Sequence, residues 1–412
     1  MSKAKPFCIS KAQVFAAYKK VRKRRSAAGV DGQSWSDFEV DLKNNLYKIW
    51  NRMSSGSYFP PPVKSLAIPK KLGGERVLGI PTVSDRIAQA VVKDVLEPLC
   101  EPIFHSDSFG FRPGKSAHDA VALAQQRCWK NSWVVDLDIK GFFDHLDHEL
   151  LLKAVRHRTE CPWVLLYVER WLGAGVVSVE GKWQERLEGT PQGGVISPLL
   201  ANLFLHFAFD AWMERNHPGV RFERYADDII VHCQSLQRAK YLHDAIAMRL
   251  AECKLELHPE KTKIVFCPNF IDRKQDGYPE SFDFLGFTFR QRSAKGPRGT
   301  LFDGFLAGIS RTSQKNISAR IRHWRIGRSS DLSLERISRM YNPTWRGWVN
   351  YYGKFQPQAM SSIHQQWNYV LSKWAQRKYK RFQEHVGVAG RWIYKVRRRD
   401  PELFAIWALF HS

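Results

Sequence analysis

Arg224-Tyr225-Ala226-Asp227-Asp228-Ile229-Ile230-Val231 sets two adjacent carboxylates between two segments of strand character, Gly219 to Arg224 before and Ile229 to His232 after. An Asp-Asp pair at a hairpin tip aims two negative charges at one spot. Like charges packed together repel, so the site favours a compensating cation such as Mg²⁺. Asp is also an ordinary turn residue, so the pair alone says little. It gains weight from a second stretch upstream, Val134-Val135-Asp136-Leu137-Asp138-Ile139-Lys140-Gly141-Phe142-Phe143-Asp144. There an apolar strand ends in a carboxylate and an aromatic pair.

The 412 residues predict two or three compact units, and 44% hydrophobic content is ample for their cores. No run of eighteen apolar residues exists, so no membrane span is expected. The basic start, Met1 to Phe7, lacks the apolar core of a secretory signal. The seven cysteines are scattered without a Cys-x-x-Cys pair, which reads as reduced thiols in an intracellular protein rather than a zinc site. The net charge of +24 and the pI near 9.8 call for a polyanionic partner. Its distribution says more: residues 291–412 hold 23 Lys and Arg against 6 Asp and Glu, a net of +17.

The order of elements predicts an α+β fold rather than a regular βαβ winding. Val63 to Ile80 reads as a hairpin turning at Gly73-Gly74, and Asp85 to Leu99 as a helix. Ser197-Pro198 reads as N-cap and first residue of a helix running to Met213. Leu236 to Cys253 is amphipathic, and Phe282 to Arg290 reads as one strand containing Gly286. After about residue 300 the pattern predicts helices alone: Ser310–Arg325, Leu332–Met340, Thr344–Phe355 and Ser362–Phe382, with Pro343 separating the second from the third. The expected domains are 1–125, 126–295 with the carboxylates, and a basic helical domain over 300–412. Seven of the 15 tryptophans follow residue 290; a Trp in a helical bundle is usually core, and most of these are expected to be. Gly114-Lys115-Ser116 is not a phosphate loop, because position 109 is Phe rather than Gly.

The two carboxylate motifs resemble the metal-binding motifs of reverse transcriptases. The chain as a whole resembles the group II intron-encoded type, on stretches that cover most of it. They are Ala28 to Gly32, Ile68-Pro69-Lys70-Lys71 with Leu78 to Thr82, Ser108-Phe109-Gly110-Phe111-Arg112-Pro113-Gly114, and Asp138 to Asp144. Gly189-Thr190-Pro191-Gln192-Gly193-Gly194-Val195-Ile196-Ser197-Pro198, the Tyr225 motif, His258 to Lys263 and Phe284 to Phe287 follow. Asn342 to Trp348 with Tyr351-Tyr352 resembles the family's maturase domain. The resemblance implies a right-hand polymerase of fingers and palm followed by an all-α thumb/maturase domain. With no His/Cys cluster after Arg399, it is to the endonuclease-lacking subset.

Nucleotidyl transfer uses two divalent metals about 3.5–4 Å apart, and hard cations take carboxylate oxygen. Asp138 and Asp227 are the candidates to bridge two Mg²⁺ (or Mn²⁺), with Asp228 in support and the Ile139 carbonyl completing a coordination sphere. Asp136 and Asp144 read as structural. By position in the family, Phe143 packs under the incoming sugar and excludes a 2′-OH, Gln192 contacts the nucleotide, and Lys70 and Arg76 grip the triphosphate, with Lys71 competing for the role of Lys70. Clusters Arg377 to Arg381 and Arg397 to Arg399 suit phosphate contacts. The implied partners are an RNA template, in particular a structured intron RNA, a DNA primer and dNTPs, in the bacterial cytoplasm. Two rivals stay open: a domesticated reverse transcriptase in host defence or repair, and a non-catalytic RNA-binding splicing factor. Oligomeric state is not legible.

Overall fold

Ala226 sits in the left-handed region, φ +58°, and lets the central hairpin turn in two residues. In the computed structural model, β6 (Arg221–Tyr225) and β7 (Asp228–Cys233) pair antiparallel with Tyr225 opposite Asp228, so Ala226 and Asp227 form the whole tip. Residues 5–411 are described, except 25, 70–74, 269–275, 296–300 and 384.

The fold is α+β. The strands preceding this hairpin are β1 (Val63–Pro69), β2 (Glu75–Ile80), β3 (Trp133–Asp138), β4 (Val176–Val177) and β5 (Trp183–Gln184). Those following are β8 (Lys263–Phe266), β9 (Ser281–Phe284), β10 (Phe287–Lys295) and β11 (Leu301–Ile309). They form sheets of order β2-β1-β4-β5, β6-β7-β3-β8 and β11-β10-β9. The chain divides into two units, Met1–Ala120 with Val135–Lys263, and Val121–Val134 with Ile264–Ser412. Within the first, the β1–β2 hairpin predicted from sequence is present, while its turn lies outside the described residues.

Several expectations need correction. Phe282 to Arg290 is two strands: Leu285 and Gly286 both have positive φ, +52° and +82°, and close a two-residue turn between β9 and β10. The stretch after 300 is not helices alone, because β11 pairs with β10 along its whole length. Gly304 and Gly308 mask its strand character. At Gly308 a Cβ would lie 2.9 Å from the Arg292 guanidinium carbon, so a larger residue there would displace that side chain. Pro343 does not separate two helices but lies inside one, Leu334–Tyr352. Proline costs about 3 kcal/mol in a helix interior. Here the helix buries Leu334, Ile337 and Trp345 on one face, and that burial outweighs the lost backbone bond. The helix after Ser197 starts one residue early, with Ile196 as cap, and passes through a π-helical segment, His206–Asp210, before ending at Asn216.

In the second unit the core is aromatic. Trp345, Trp367, Trp374 and Trp407 are fully buried, and Trp324, Trp348 and Trp392 pack against that cluster. All seven C-terminal tryptophans therefore serve packing. Among the described residues, no helix is long and apolar enough to cross a membrane.

Candidate active site

Alternation along β3 buries Val135 and Leu137 and leaves Asp136 and Asp138 on the less buried face. The end of the strand is anchored: the Asp138 carbonyl accepts from the His258 N–H at 2.7 Å, and the Asp138 N–H donates to Thr262 Oγ1 at 3.3 Å. Ile139 continues the pairing against Leu257. Lys261 Nζ lies 3.4 Å from Asp138 Oδ1.

Asp227 occupies the hairpin tip and Asp228 opens β7. Asp228 reaches solvent at one edge but is ringed by protein. The resulting loss of hydration, then the charges of Asp227 and Asp138, push its pKa up to about 7. Asp227 and Asp138 thus both bear on Asp228. Among the described residues no group of three or more acidic, His or Cys side chains is arranged so that it could hold a metal ion. The donor chemistry nevertheless fits a hard cation, because every group offered is carboxylate or carbonyl oxygen.

Beside this space lies the turn Phe142–Asp144, entered through Gly141 at φ +56°. Phe142 is core, whereas Phe143 is only half-buried. The Phe143 carbonyl accepts from the Thr190 N–H at 2.8 Å, which joins the turn to the loop carrying Gln192. Gln192 Nε2 donates to the Asp144 carboxylate at 3.2 and 3.3 Å, so Asp144 orients a predicted site residue.

That loop is held on two further sides. The Gly79 N–H of β2 donates to the Gln192 carbonyl at 3.0 Å, and a Cβ on Gly193 would lie 2.7 Å from the Gly79 carbonyl oxygen. Gln89 Oε1 accepts from the Val195 N–H at 2.7 Å, while its Nε2 donates to Asp85. Asp85, buried, also accepts from Tyr58 Oη and Trp171 Nε1. Arg76 lies on β2, paired with Ile68; Lys70 and Lys71 fall outside the described residues.

Sequence reading missed Lys261, Gln89 and Arg186. Lys261 lay in a motif already quoted, without a role. Arg186 is half-buried beside Asp144, with burial lowering its pKa and Asp144 opposing that shift, and its buried Nη1 has no partner. Of the basic clusters, Arg377 and Lys378 donate to the carbonyls of Gly327 and Ser330, so these two hold the fold.

These features meet a family. Residues 68–289 match Reverse transcriptase (RNA-dependent DNA polymerase), and the chain belongs to that family, with a divalent-cation-dependent polymerase fold of palm and fingers. Residues 314–392 match the Group II intron, maturase-specific domain, which places the chain in the group II intron reverse transcriptase/maturase branch. Protein YkfC of Escherichia coli (strain K12) is 32% identical over 296 residues, 61% of this chain and 77% of that protein. The group II intron-encoded protein LtrA of Lactococcus lactis subsp. cremoris is 37% identical over 167 residues, 40% of this chain but 27% of LtrA. A solved structure of telomerase from Candida albicans in complex with a telomeric RNA fragment aligns at TM-score 0.47 and 12% identity, over 91% of this chain and 67% of that one. At that level it adds nothing to the assignment.

Proposed function

We propose that the chain copies RNA into DNA at the Asp138, Asp227 and Asp228 site, and that its basic helical part binds structured intron RNA and assists its splicing. The placement of these carboxylates at the end of β3 and on the β6–β7 tip of a reverse transcriptase fold, with Asp227 and Asp138 bearing on Asp228, carries this reading. Two bound Mg²⁺ ions, or Mn²⁺ in their place, supply the charge that stabilises the attacking 3′-oxygen of a DNA primer and the leaving phosphate. Asp138 and Asp227 hold that charge, supported by Asp228 and the Ile139 carbonyl. Phe143, half-buried beside the carboxylates, presents a ring under the deoxyribose and excludes a 2′-OH. Gln192, oriented by Asp144, meets the nucleotide, and Lys70 and Arg76 grip its triphosphate. Fingers over 1–125, palm over 126–295 and thumb over 300–412 are the corresponding domains. A non-catalytic RNA binder would have no use for the three carboxylates.

Primer extension by the purified chain on RNA and DNA templates, with dNTPs and Mg²⁺, tests this. The parent extends on RNA; Asp227→Ala does not, yet still binds RNA. Undiminished extension by Asp227→Ala overturns the site.

A further inference from the structure

Behind the Asp227-Asp228 pair lies a buried group that the polymerase reading leaves unused. Arg224 and Asp210 are both fully buried. Arg224 Nε and Nη2 donate to the two Asp210 carboxylate oxygens at 2.7 and 2.6 Å, a bidentate pair. The remaining nitrogen, Nη1, donates to Asn202 Oδ1 at 3.0 Å and to the Ala226 carbonyl at 3.1 Å. Asn202 Nδ2 in turn donates to the Gly110 carbonyl at 2.6 Å.

Gly110 lies directly against the turn. A Cβ there would come within 2.4 Å of the Ala226 nitrogen. Its neighbours flank Arg224 itself: the Arg224 N–H donates to the Asp107 carbonyl at 3.0 Å, and the Phe109 N–H to the Arg224 carbonyl at 2.8 Å. The Ser108-Phe109-Gly110 stretch is therefore a backing for the catalytic turn.

Asn202 and Asp210 reach one guanidinium because of the π-helical segment. On a continuous α-helix, residues eight apart stand about 80° out of line at 100° per residue. The wider turns of His206–Asp210 take up part of that rotation.

We propose that Arg224, held by Asp210 and Asn202, is a positioning residue for the polymerase reaction: it fixes the Ala226 carbonyl, and so the direction in which Asp227 presents its carboxylate. This rests on the assignment of Asp227 to the active site. Ala226 is an alanine in a conformation that L-residues disfavour, so the tip needs a hold from outside the hairpin. Stability alone does not call for this arrangement, because apolar residues of similar volume replace buried ion pairs with little or no loss. What apolar residues cannot do is hold a carbonyl in place.

The double variant Arg224→Met with Asp210→Leu makes that distinction, since it refills the core without the hydrogen bond. Relative to the parent, and per folded molecule, kcat for primer extension falls by about 100-fold, the effect of roughly 1 Å of misplacement, with KM for dNTP within about 2-fold. Hydrogen exchange of the 225–228 amides rises, while that of β3 does not. Arg224→Lys keeps the charge against Asp210 and recovers part of kcat. Asn202→Ala removes no charge; it lowers kcat and speeds the same amides, and it keeps the inference falsifiable where the charge variants fail to fold. Folded variants with parental kcat, or with loss traced only to a smaller folded fraction and unchanged exchange at the tip, overturn the inference. Asp227→Ala runs alongside: activity there overturns the site assignment instead, whatever Arg224 does.

Discussion

Asp85 offers a pH test with a definite sign. The residue is 1% exposed. It accepts from Trp171 Nε1 at 2.7 Å, Tyr58 Oη at 2.8 Å and Gln89 Nε2 at 2.9 Å. Burial raises its pKa from 3.8 to about 6, against the pull of these donors and of Arg86. Between those values the folded chain keeps a proton that the unfolded chain has given up. The stability so contributed is complete below the unfolded pKa and is lost as pH rises through about 6. At 1.36 kcal/mol per pH unit, the loss is roughly 3 kcal/mol. Asp85→Asn cannot ionise, so the variant-minus-parent difference isolates the effect. An amide nitrogen facing Gln89 Nε2 adds a cost that does not vary with pH. Urea unfolding of both chains from pH 4 to pH 7.5 should therefore show the variant gaining on the parent by roughly 3 kcal/mol, most of it between pH 4 and pH 6.5. A difference that stays flat over this range refutes the reasoning.

Phe143→Ala should raise ribonucleotide incorporation relative to dNTP in the extension assay; an unchanged preference would make Phe143 packing rather than gate. Replacing Lys380, Arg381 and Arg398 together by Ala should weaken RNA binding and flatten its salt dependence, each phosphate no longer neutralised lowering the slope by about 0.7–0.9. An unaltered slope would remove these three from the RNA surface. Trp345→Ala should destabilise the helical core by about 3–5 kcal/mol, read from denaturant unfolding, because the ring is fully buried against Trp324, Trp348 and Trp367.

The hairpin at Asp227 and the strand ending at Asp138 were legible because both are local. Period-two burial, a turn and a carboxylate lie within a few residues of one another. The same locality explains the failures. Gly304 and Gly308 hide β11, and only its pairing with β10 along its whole length reveals the strand. Pro343 predicts a break from its own chemistry; the helix persists because Trp345 is buried among residues distant in sequence. Gln89 meets Val195 across 106 residues, and Lys261 meets Asp138 across 123. Nothing in the spacing of either residue announces its partner. Arg224 sat inside the opening motif, yet its hold on Ala226 depends on a π-helical segment with no local signature.

The allocation of Val121–Val134 to the unit completed by the C-terminal half has a consequence during synthesis. Gln125 Oε1 accepts from the Ala307 N–H, and Trp129 Nε1 donates to the Phe305 carbonyl, 182 and 176 residues later. At about 5–20 residues per second, those partners emerge from the ribosome roughly 10–35 s after the helix Ala117–Cys128 has formed its own backbone bonds. Through that interval Val121, Ala124 and Cys128, all buried in the finished chain, lack the cover that the later residues complete. A nascent chain of this protein thus carries a helix with an uncovered apolar face for a little under half of its synthesis, and slowing translation lengthens the window for capture by a chaperone or a second nascent chain.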